Sequence, residues 1–510
     1  MDDLNEYVSL YPLGWDLLFG AALALDGPIA AKLLHWLALP ACALIAALLA
    51  RTVDRRTSPW MAGAIFVTAP IVFWEATTAY VDLALTLYLG AAVYALLRAD
   101  DTADPGWLIV AGLQLGFACA TKHLGLVALA AIVPLLAWSR LRMQPGGEQW
   151  AGRARAAVQA VAVVTVLALL VPLPWYVRAW KASGNPVFPD MYRVFGAEPP
   201  ERWDALTERG LQQFKDHFGR PRTAAHLLAL PWDITIHAAQ YGGTLGPLLL
   251  AGLPAMILAA ARRRRASALL AASAIYCAVW ASPLSSYQMR FLVPVWAPCA
   301  AALAVGIRLV LDRLHTRAGR TGLLAILVLI LVASLPPWTV FHEGDRRGWD
   351  GWLTHAVHEP PTAVVLGGIS ADDYLRAQVR TYGAWQWINA HAHVGQRVLT
   401  FFSGDQLYAE RARVWSEAVV ARDATWGATS GDRARVQAEL RRLGISYVLA
   451  PADAWKTAEH ARLDLLRPTV MGPTLEQVYS DRWAVVFAIA AAERTGPGQA
   501  GGAVDRANGR

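Results

Sequence analysis

Along the first two thirds of the chain, apolar runs of roughly 16 to 24 residues alternate with short stretches rich in arginine. About 20 apolar residues in a helix cover the ~30 Å hydrocarbon layer of a bilayer, so runs of this length read as membrane spans. The pattern predicts spanning helices near 28–51, 59–74, 77–98, 106–121, 123–140, 156–178, 243–262, 266–281, 291–312 and 321–341. Ahead of them, YPLGWDLLFGAALAL (residues 11–25) is short for a span and carries Asp16, which predicts a helix lying in the membrane interface.

Lysine and arginine divide unevenly between the two ends of these helices. One side holds Arg51, Arg55, Arg56, Arg98, Arg140, Arg142, Arg153, Arg155 and the run Arg262 to Arg265, with Arg313, Arg317 and Arg320 beyond them. The short loops on the opposite side hold little besides Lys122 and Arg290. Basic residues collect on the cytoplasmic side of membrane proteins. The arginine-rich side is therefore expected in the cytoplasm, in a multi-pass protein of the inner (plasma) membrane. The long loop 179–242 and everything after 342 are then extracytoplasmic. Met1 also starts outside, and MDDLNEYVSLYP lacks the basic opening of a signal peptide.

The pattern changes near residue 372. Helical periodicity in ADDYLRAQVRTYGAWQWINAHA gives way to the strand candidates RVLTFF, ISYVLA and WAVVFAI, with a further helix predicted in RARVQAELRRLG. The expected organisation is a remnant of an outer loop with the interfacial helix over 1–27, a transmembrane domain over 28–341, a linker over 342–371, a small extracytoplasmic α/β domain over 372–493, and a Gly-rich disordered tail over 494–510. The fold class is a polytopic α-helical membrane protein of about ten transmembrane helices.

Composition agrees. Of 510 residues 55% are apolar and only 17% charged, against roughly a quarter charged in soluble proteins, and the mean hydropathy is +0.33. The net charge of +7 lies mostly in the arginine clusters beside spans, so it has a topological origin and implies no nucleic-acid partner. The four cysteines, Cys42, Cys119, Cys277 and Cys299, fall in apolar runs and read as small buried hydrophobes.

Candidate chemistry collects at the outer ends of the spans. In WEATTAYVDLAL, Glu75 closes one helix and Asp82 is expected about one and a half turns into the next, with Tyr80 between them. A carboxylate near hydrocarbon costs several kcal/mol, on the order of the insertion scales, and marks a site with a cation as its natural partner. Lys122 and His123 interrupt apolar sequence in ACATKHLGL, and Arg290 opens a span in SSYQMRFLVP, just after Gln288. Ammonium and guanidinium groups suit phosphate oxygens. Arg178 leaves the membrane into an aromatic-rich loop, where Trp175, Tyr176, Trp180 and Tyr192 suit an interfacial belt or sugar stacking. Cations, carboxylates and aromatics at one mouth fit a lipid-linked phosphate donor whose sugar passes to an acceptor.

The segments YPLGWDLLFGAALALDGPIAAKLLHWL, TAPIVFWEATTAYVDLAL, GFACATKHLGL, SGNPVFPDMYRVFG, YGGTLGPLLL and YQMRFLVP occur in that order. Together they resemble the bacterial glycosyltransferase-C superfamily, in the branch of protein O-mannosyltransferase-like and aminoarabinose-transferase-like enzymes, over most of residues 5 to 490. The resemblance implies an inverting transferase that uses a polyprenyl-phosphate sugar at the extracytoplasmic face. It also implies a catalytic aspartate in a first outer loop, after a first transmembrane helix and ahead of the YP segment. This chain departs from the pattern there, because it begins almost at that segment. Asp2 and Asp3 are the only aspartates before Tyr11 and stand closer to it than the pattern asks; Asp3 is carried as the candidate from that loop. By position, Asp82 matches the family's acidic residue at the outer end of a span, and Lys122 and Arg290 match its phosphate-facing cations.

The expectation is a hexosyl- or pentosyl-type glycosyltransferase with a polyprenyl-phosphate donor and a lipid, glycan or protein acceptor. Asp82, Glu75 and Asp3 are its catalytic candidates, and Lys122, His123, Arg290, Gln288, Tyr80 and Arg178 its substrate-binding ones. No cofactor is certain. A divalent cation at Glu75 and Asp82 is one option, though two carboxylates alone make a weak site. Two rivals stand beside this reading: a catalytically impaired sugar-lipid-binding or assembly protein, and a lipid-linked sugar flippase. Polar residues gathered at one mouth, with a midplane nearly free of charge, disfavour the flippase.

Overall fold

The structure is a computed structural model that describes residues 9–142, 150–198, 203, 205–334, 361–400, 405–416, 440–441, 444–452 and 475–489. The chain divides into two compact units, Glu6–Leu366 and Gly367–Arg510, the second joined by Met1–Asn5. Asp3, the helix expected in RARVQAELRRLG apart from residues 440–441 and 444, most of the linker and the tail after 494 lie outside the described residues.

The first unit is a helical bundle. Its opening helix α1 (Gly14–Val53) breaks at Asp26 and Gly27, where Gly27 takes φ 70°. Pro28 follows and restarts the helix. The break separates the expected interfacial helix from the first span. Before it, Leu17 and Leu25 are exposed while Trp15 and Phe19 are buried, so one face packs inward and the other is free for lipid.

The next expected span is bent. α2 (Pro59–Val67) and α3 (Pro70–Ala76) meet at 76°. Ala69 is extended ahead of Pro70, and a proline forces this on the residue before it and cannot supply the missing N–H. α3 is therefore a half-helix that delivers Glu75 to the end of the bundle. Its Ile71 N–H donates to the Thr244 carbonyl at 3.1 Å.

α4 (Asp82–Thr102) also departs from expectation, because it starts at Asp82 instead of near 77. The Thr77 and Thr78 hydroxyls donate to the carbonyls of Trp74 and Glu75, holding 77–81 as a turn. Asp82 is thus the first helical residue, at the positive end of the helix dipole, and not one and a half turns inside. α5 (Gly106–Thr121), α6 (Leu124–Arg142) and α7 (Trp150–Leu170) follow close to the expected bounds. The span expected over 156–178 ends earlier, and 173–183 forms a separate helix, α8 (Leu173–Ser183).

Short helices α9 (Tyr192–Phe195), α10 (Ala205–Asp216) and α11 (Ala224–Ile236) occupy the long loop. α12 (Pro247–Arg262), α13 (Arg264–Ala281), α14 (Val293–Arg313) and α15 (Arg317–Ser334) complete the bundle, and α16 (Pro361–Val365) follows. Among the described residues, five helices are long and apolar enough to cross a membrane, or six if α2 and α3 count as one span. α5 and α12, at 16 residues each, cover about 24 Å and fall short of a full ~30 Å crossing on their own.

α14 is the axis of the bundle, buried continuously from Val293 to Ile307 except at Cys299. Its approach to α12 needs a residue without a side chain: a Cβ on Gly306 would sit 2.0 Å from the Ala255 carbonyl oxygen. Gly112 and Gly116 do the same between α5 and α7, facing Leu167 and Val171. Small residues four apart allow such close helix contact in a lipid setting, where packing replaces the hydrophobic drive.

The second unit has helices α17 (Ala371–Gln378) and α18 (Tyr382–His391) and a five-stranded sheet of β1 (Arg397–Thr400), β2 (Arg413–Ser416), β3 (Ile445–Pro451), β4 (Leu475–Ser480) and β5 (Ala484–Ile489). The strand order is β2-β1-β3-β5-β4, with β1 parallel to β2 and β3 and the other pairs antiparallel. Trp385 and Ile388 of α18 pack on Val398, Leu449 and Val486. The three expected strands are present. β2 and β4, which alternate polar residues, are additional.

Replacing Gly306 with valine forces α12 and α14 apart. Overpacking of this kind costs about 1–3 kcal/mol, so a thermal-unfolding scan in detergent should show a clear drop in Tm. Gly20→Ala, where a Cβ meets nothing within 4 Å, should leave the transition unmoved.

Candidate active site

Three chain segments converge at one end of the bundle: the α3–α4 turn, the α5–α6 turn and the short 3-10 turn Met289–Leu292 ahead of α14. The α5–α6 turn is sharp because a Cβ on Gly125 would fall 2.5 Å from the Ala118 and Cys119 backbone. It leaves Lys122 extended at the end of α5. The Lys122 Nζ reaches Asp82 Oδ1 at 2.7 Å and lies 4.0 Å from the Phe291 ring centroid. Asp82 is 1% exposed and Lys122 22%, so the carboxylate is sealed in while the lysine side chain keeps some exposure.

Arg290 completes this cluster. Its guanidinium lies 4.3 Å from the centroid of Tyr80 and 5.1 Å from that of Phe291, and its Nε donates to Gln288 Oε1 at 3.0 Å. Both cations thus lie against the Phe291 ring. Among the described residues no carboxylate pairs with Arg290. Its four terminal N–H groups and two of the three on Lys122 remain for a ligand.

Glu75 is fully buried, and neither carboxylate oxygen receives a hydrogen bond from the described residues. Asp82, Arg290 and Lys122 all lie within its electrostatic reach. Asp82 Oδ2 and the Tyr276 hydroxyl are also buried without a partner. Buried polar atoms are satisfied in the great majority of cases, so this concentration of exceptions at one place marks a site. The turn carrying these groups is pinned from behind, because His35 Nδ1 donates to the Thr78 carbonyl at 2.7 Å.

The structure thus brings together Glu75, Tyr80, Asp82, Lys122, Gln288 and Arg290. His123 points elsewhere. Its Nδ1 donates to Asp190 Oδ2 at 3.0 Å, and its ring stacks on Tyr176 with centroids 6.0 Å apart. Arg178 donates to the Ser9 carbonyl and lies over Trp175. Tyr176 hydrogen-bonds the Cys119 carbonyl and Trp180 is exposed, so the two belong to the bundle's packing and its surface respectively.

The sequence reading passed over Phe291, His35, Tyr276, Asp190 and Lys215. Asp190 sits in SGNPVFPDMY, where only the aromatics drew attention, yet it is the anchor of the long loop. Lys215 donates to its Oδ1 at 2.9 Å and Asn185 Nδ2 to its carbonyl at 2.9 Å. Burial works against its charge, but the His123 hydrogen bond and the Lys215 ammonium outweigh it and hold the carboxyl at about 2. Arg222 adds a second tie, pairing with Asp216 and donating to the Ser285 carbonyl beside the Arg290 segment. Among the described residues no third His, Cys, Asp or Glu joins Glu75 and Asp82 to form a metal cluster. A hard divalent cation takes six or more oxygens, and Asp82 is already engaged by Lys122, so this donor set fits a resident metal poorly.

Residues 28–183 match the family described as dolichyl-phosphate-mannose-protein mannosyltransferase. No curated protein matches the chain by sequence. Among solved structures, ArnT from Cupriavidus metallidurans bound to undecaprenyl phosphate is similar over 94% of this chain and 88% of its own, at 17% identity and TM-score 0.56. The same protein in the apo state gives 16% identity, 95% and 88% coverage and TM-score 0.57. An Archaeoglobus fulgidus oligosaccharyltransferase tethered to an acceptor peptide aligns over 94% of this chain and 66% of its own, at 13% identity and TM-score 0.52. At these identities the likeness is one of fold. The chain shares the fold of ArnT and of the oligosaccharyltransferase, in keeping with the resemblance that the ordered segments carry.

The Asp190 anchor gives a prediction with a definite sign. A carboxyl held near 2, below its ordinary ~3.9, contributes loop stability that is complete above about 4 and is lost as pH falls through about 2. Asp190→Asn should bring that loss to neutral pH, seen as faster amide exchange across residues 184–198. Unchanged exchange there would mean the loop is held by other contacts.

Proposed function

We propose that this chain is an integral-membrane glycosyltransferase that moves a hexosyl- or pentosyl-type sugar from a polyprenyl-phosphate donor to a lipid, glycan or protein acceptor. The observation that carries the proposal is the Lys122–Asp82 pair sharing one bundle mouth with Arg290, both cations within about 5 Å of the Phe291 ring centroid. Two cations with unspent donors face one opening, and two buried carboxylates stand behind them. The solved ArnT complex with undecaprenyl phosphate and the peptide-tethered oligosaccharyltransferase support a prenyl-phosphate donor and an acceptor approaching the same fold.

In this mechanism the donor phosphate lodges between Lys122 and Arg290, with its prenyl chain in the surrounding lipid. The acceptor hydroxyl attacks the anomeric carbon from the face opposite the phosphate. Its oxygen forms the new glycosidic bond as the bond from that carbon to the phosphate oxygen breaks, and the electron pair leaves on the phosphate. Lys122 and Arg290 stabilise the charge that develops there. The hydroxyl proton passes to the carboxylate pair, with Asp82 as base through its unengaged Oδ2 and Glu75 beside it.

The site is placed at the extracytoplasmic face of the inner membrane because Lys122 and Arg290 lie opposite the arginine-rich ends of the helices. A membrane-impermeant thiol reagent applied to intact cells should label a cysteine introduced at Glu198 and spare one introduced at Arg262. The reverse pattern would remove the assignment.

Asp82→Asn should lower transfer by about 10²–10⁴-fold, the usual contribution of a general base, while the protein still inserts and elutes as a single species. Arg290→Ala should weaken donor binding by roughly tenfold or more, the cost of losing charge-assisted hydrogen bonds, and leave acceptor binding alone. Near-normal turnover in the first variant, or an unchanged donor titration in the second, would take that residue out of the mechanism.

A further inference from the structure

A second polar cluster lies at the arginine-rich end of the bundle and takes no part in the transfer site. There α4, α6 and α13 leave an apolar cavity of about 270 Å³ between them. Its walls include Leu97, Ile132, Leu136 and Ala272, and Ser139, Asp100, Arg264 and Arg265 form its rim. α6 packs along α13, but α4 meets them only lightly at this level. Arg264 and Ala268 on the rim and wall are exposed, so the cavity opens to the outside of the bundle.

The charges on the rim and in the ion pairs beside it do not cancel. Arg140 pairs with Asp100 at 2.8 Å, and Arg265 pairs with Asp101 and donates to the Thr52 carbonyl. Arg98 also reaches Asp101, at 3.9 Å. Arg264 makes no ion pair among the described residues. Four guanidinium groups thus face two carboxylates, with Arg264 left over at the entrance. Basic pockets between transmembrane helices on the arginine-rich side suit the headgroups of anionic lipids. The size agrees, because about 270 Å³ lies just under the ~300 Å³ at which pockets for whole small molecules begin. It admits one stretch of acyl chain, with the headgroup left at the rim.

We propose that this cavity binds an anionic glycerophospholipid from the leaflet facing the arginine-rich end. One acyl chain enters between α4 and α13, and the phosphate rests on Arg264 beside Arg265 and Arg140. The lipid fills the gap that α4 leaves against α6 and α13 at this level. The site is independent of the transfer reaction.

Native mass spectrometry of the full-length protein tests this, with phosphatidylglycerol and phosphatidylcholine of identical chains offered in equal amounts. The wild type should retain phosphatidylglycerol about fivefold over phosphatidylcholine, the preference expected of one lipid-facing arginine. Arg264→Gln, at an exposed position, should bring that ratio close to one while keeping the total bound lipid. Ala272→Phe, which fills the cavity, should remove the tightly held lipid of either headgroup. Equal retention of the two lipids by the wild type would overturn the proposal, as would lipid binding that both variants preserve. Undecaprenyl phosphate, offered in a third arm, should bind the Ala272→Phe variant as well as the wild type. Loss of that binding alone would reassign the cavity to the prenyl chain.

Discussion

The buried contact between Asp82 and Lys122 organises the outer mouth of this bundle. Neither charge is at home in an apolar helix assembly, and a buried ion pair seldom repays the cost of drying both partners. It holds here because each residue sits where its helix ends. Asp82 opens α4 at the positive end of the helix dipole, and Lys122 closes α5 at the negative end. Breaking such a pair costs about 3–5 kcal/mol, so the two helix ends are held in register. The ammonium is held with them.

Other features serve that placement. The kink at Pro70 turns α3 into a half-helix that brings Glu75 beside the pair. The Gly125 turn keeps Lys122 close to the α5–α6 junction. Phe291 and Tyr80 give Lys122 and Arg290 aromatic faces to rest on, which holds two like charges near each other without engaging the N–H groups that a phosphate would use. The long loop is secured separately through Asp190, His123 and Lys215. Ligand chemistry and loop attachment therefore rest on adjacent residues, Lys122 and His123, that point to different partners. At the other end of the bundle Asp54 gathers Arg263 and Arg308, a purely structural counterpart.

Much of this was legible in the sequence, for a physical reason. Charges are rare in apolar runs, so Glu75, Asp82, Lys122 and Arg290 stood out, and the structure brings those four together. The helices near 28–51, 106–121 and 291–312 were equally plain, because long apolar runs admit few alternatives. Breaks inside apolar stretches were harder. Proline at 70 and the 171–172 junction interrupt helices without changing hydropathy, so two expected spans prove bent or shortened. The start of α4 was misplaced because two threonine hydroxyls, bonding back to the preceding carbonyls, replace a helical turn. Asp190 was missed because an aspartate in a loop looks solvated until its partners, 67 residues before it and 25 after it, are seen. His123 was grouped with Lys122 by adjacency alone, although neighbouring residues at a turn face opposite ways.

The account comes down to whether Asp82 holds Lys122 for a phosphate. A double-mutant cycle measures this directly, using undecaprenyl phosphate binding to the wild type, Asp82→Asn, Lys122→Met and the double variant. If the pair acts as one unit, Lys122→Met should abolish most binding, and adding Asp82→Asn should change little further. The coupling would then be on the order of 0.5–3 kcal/mol, as for residues in direct contact. Independent, additive losses, or full binding in Lys122→Met, would contradict the assignment of this ion pair to the donor phosphate.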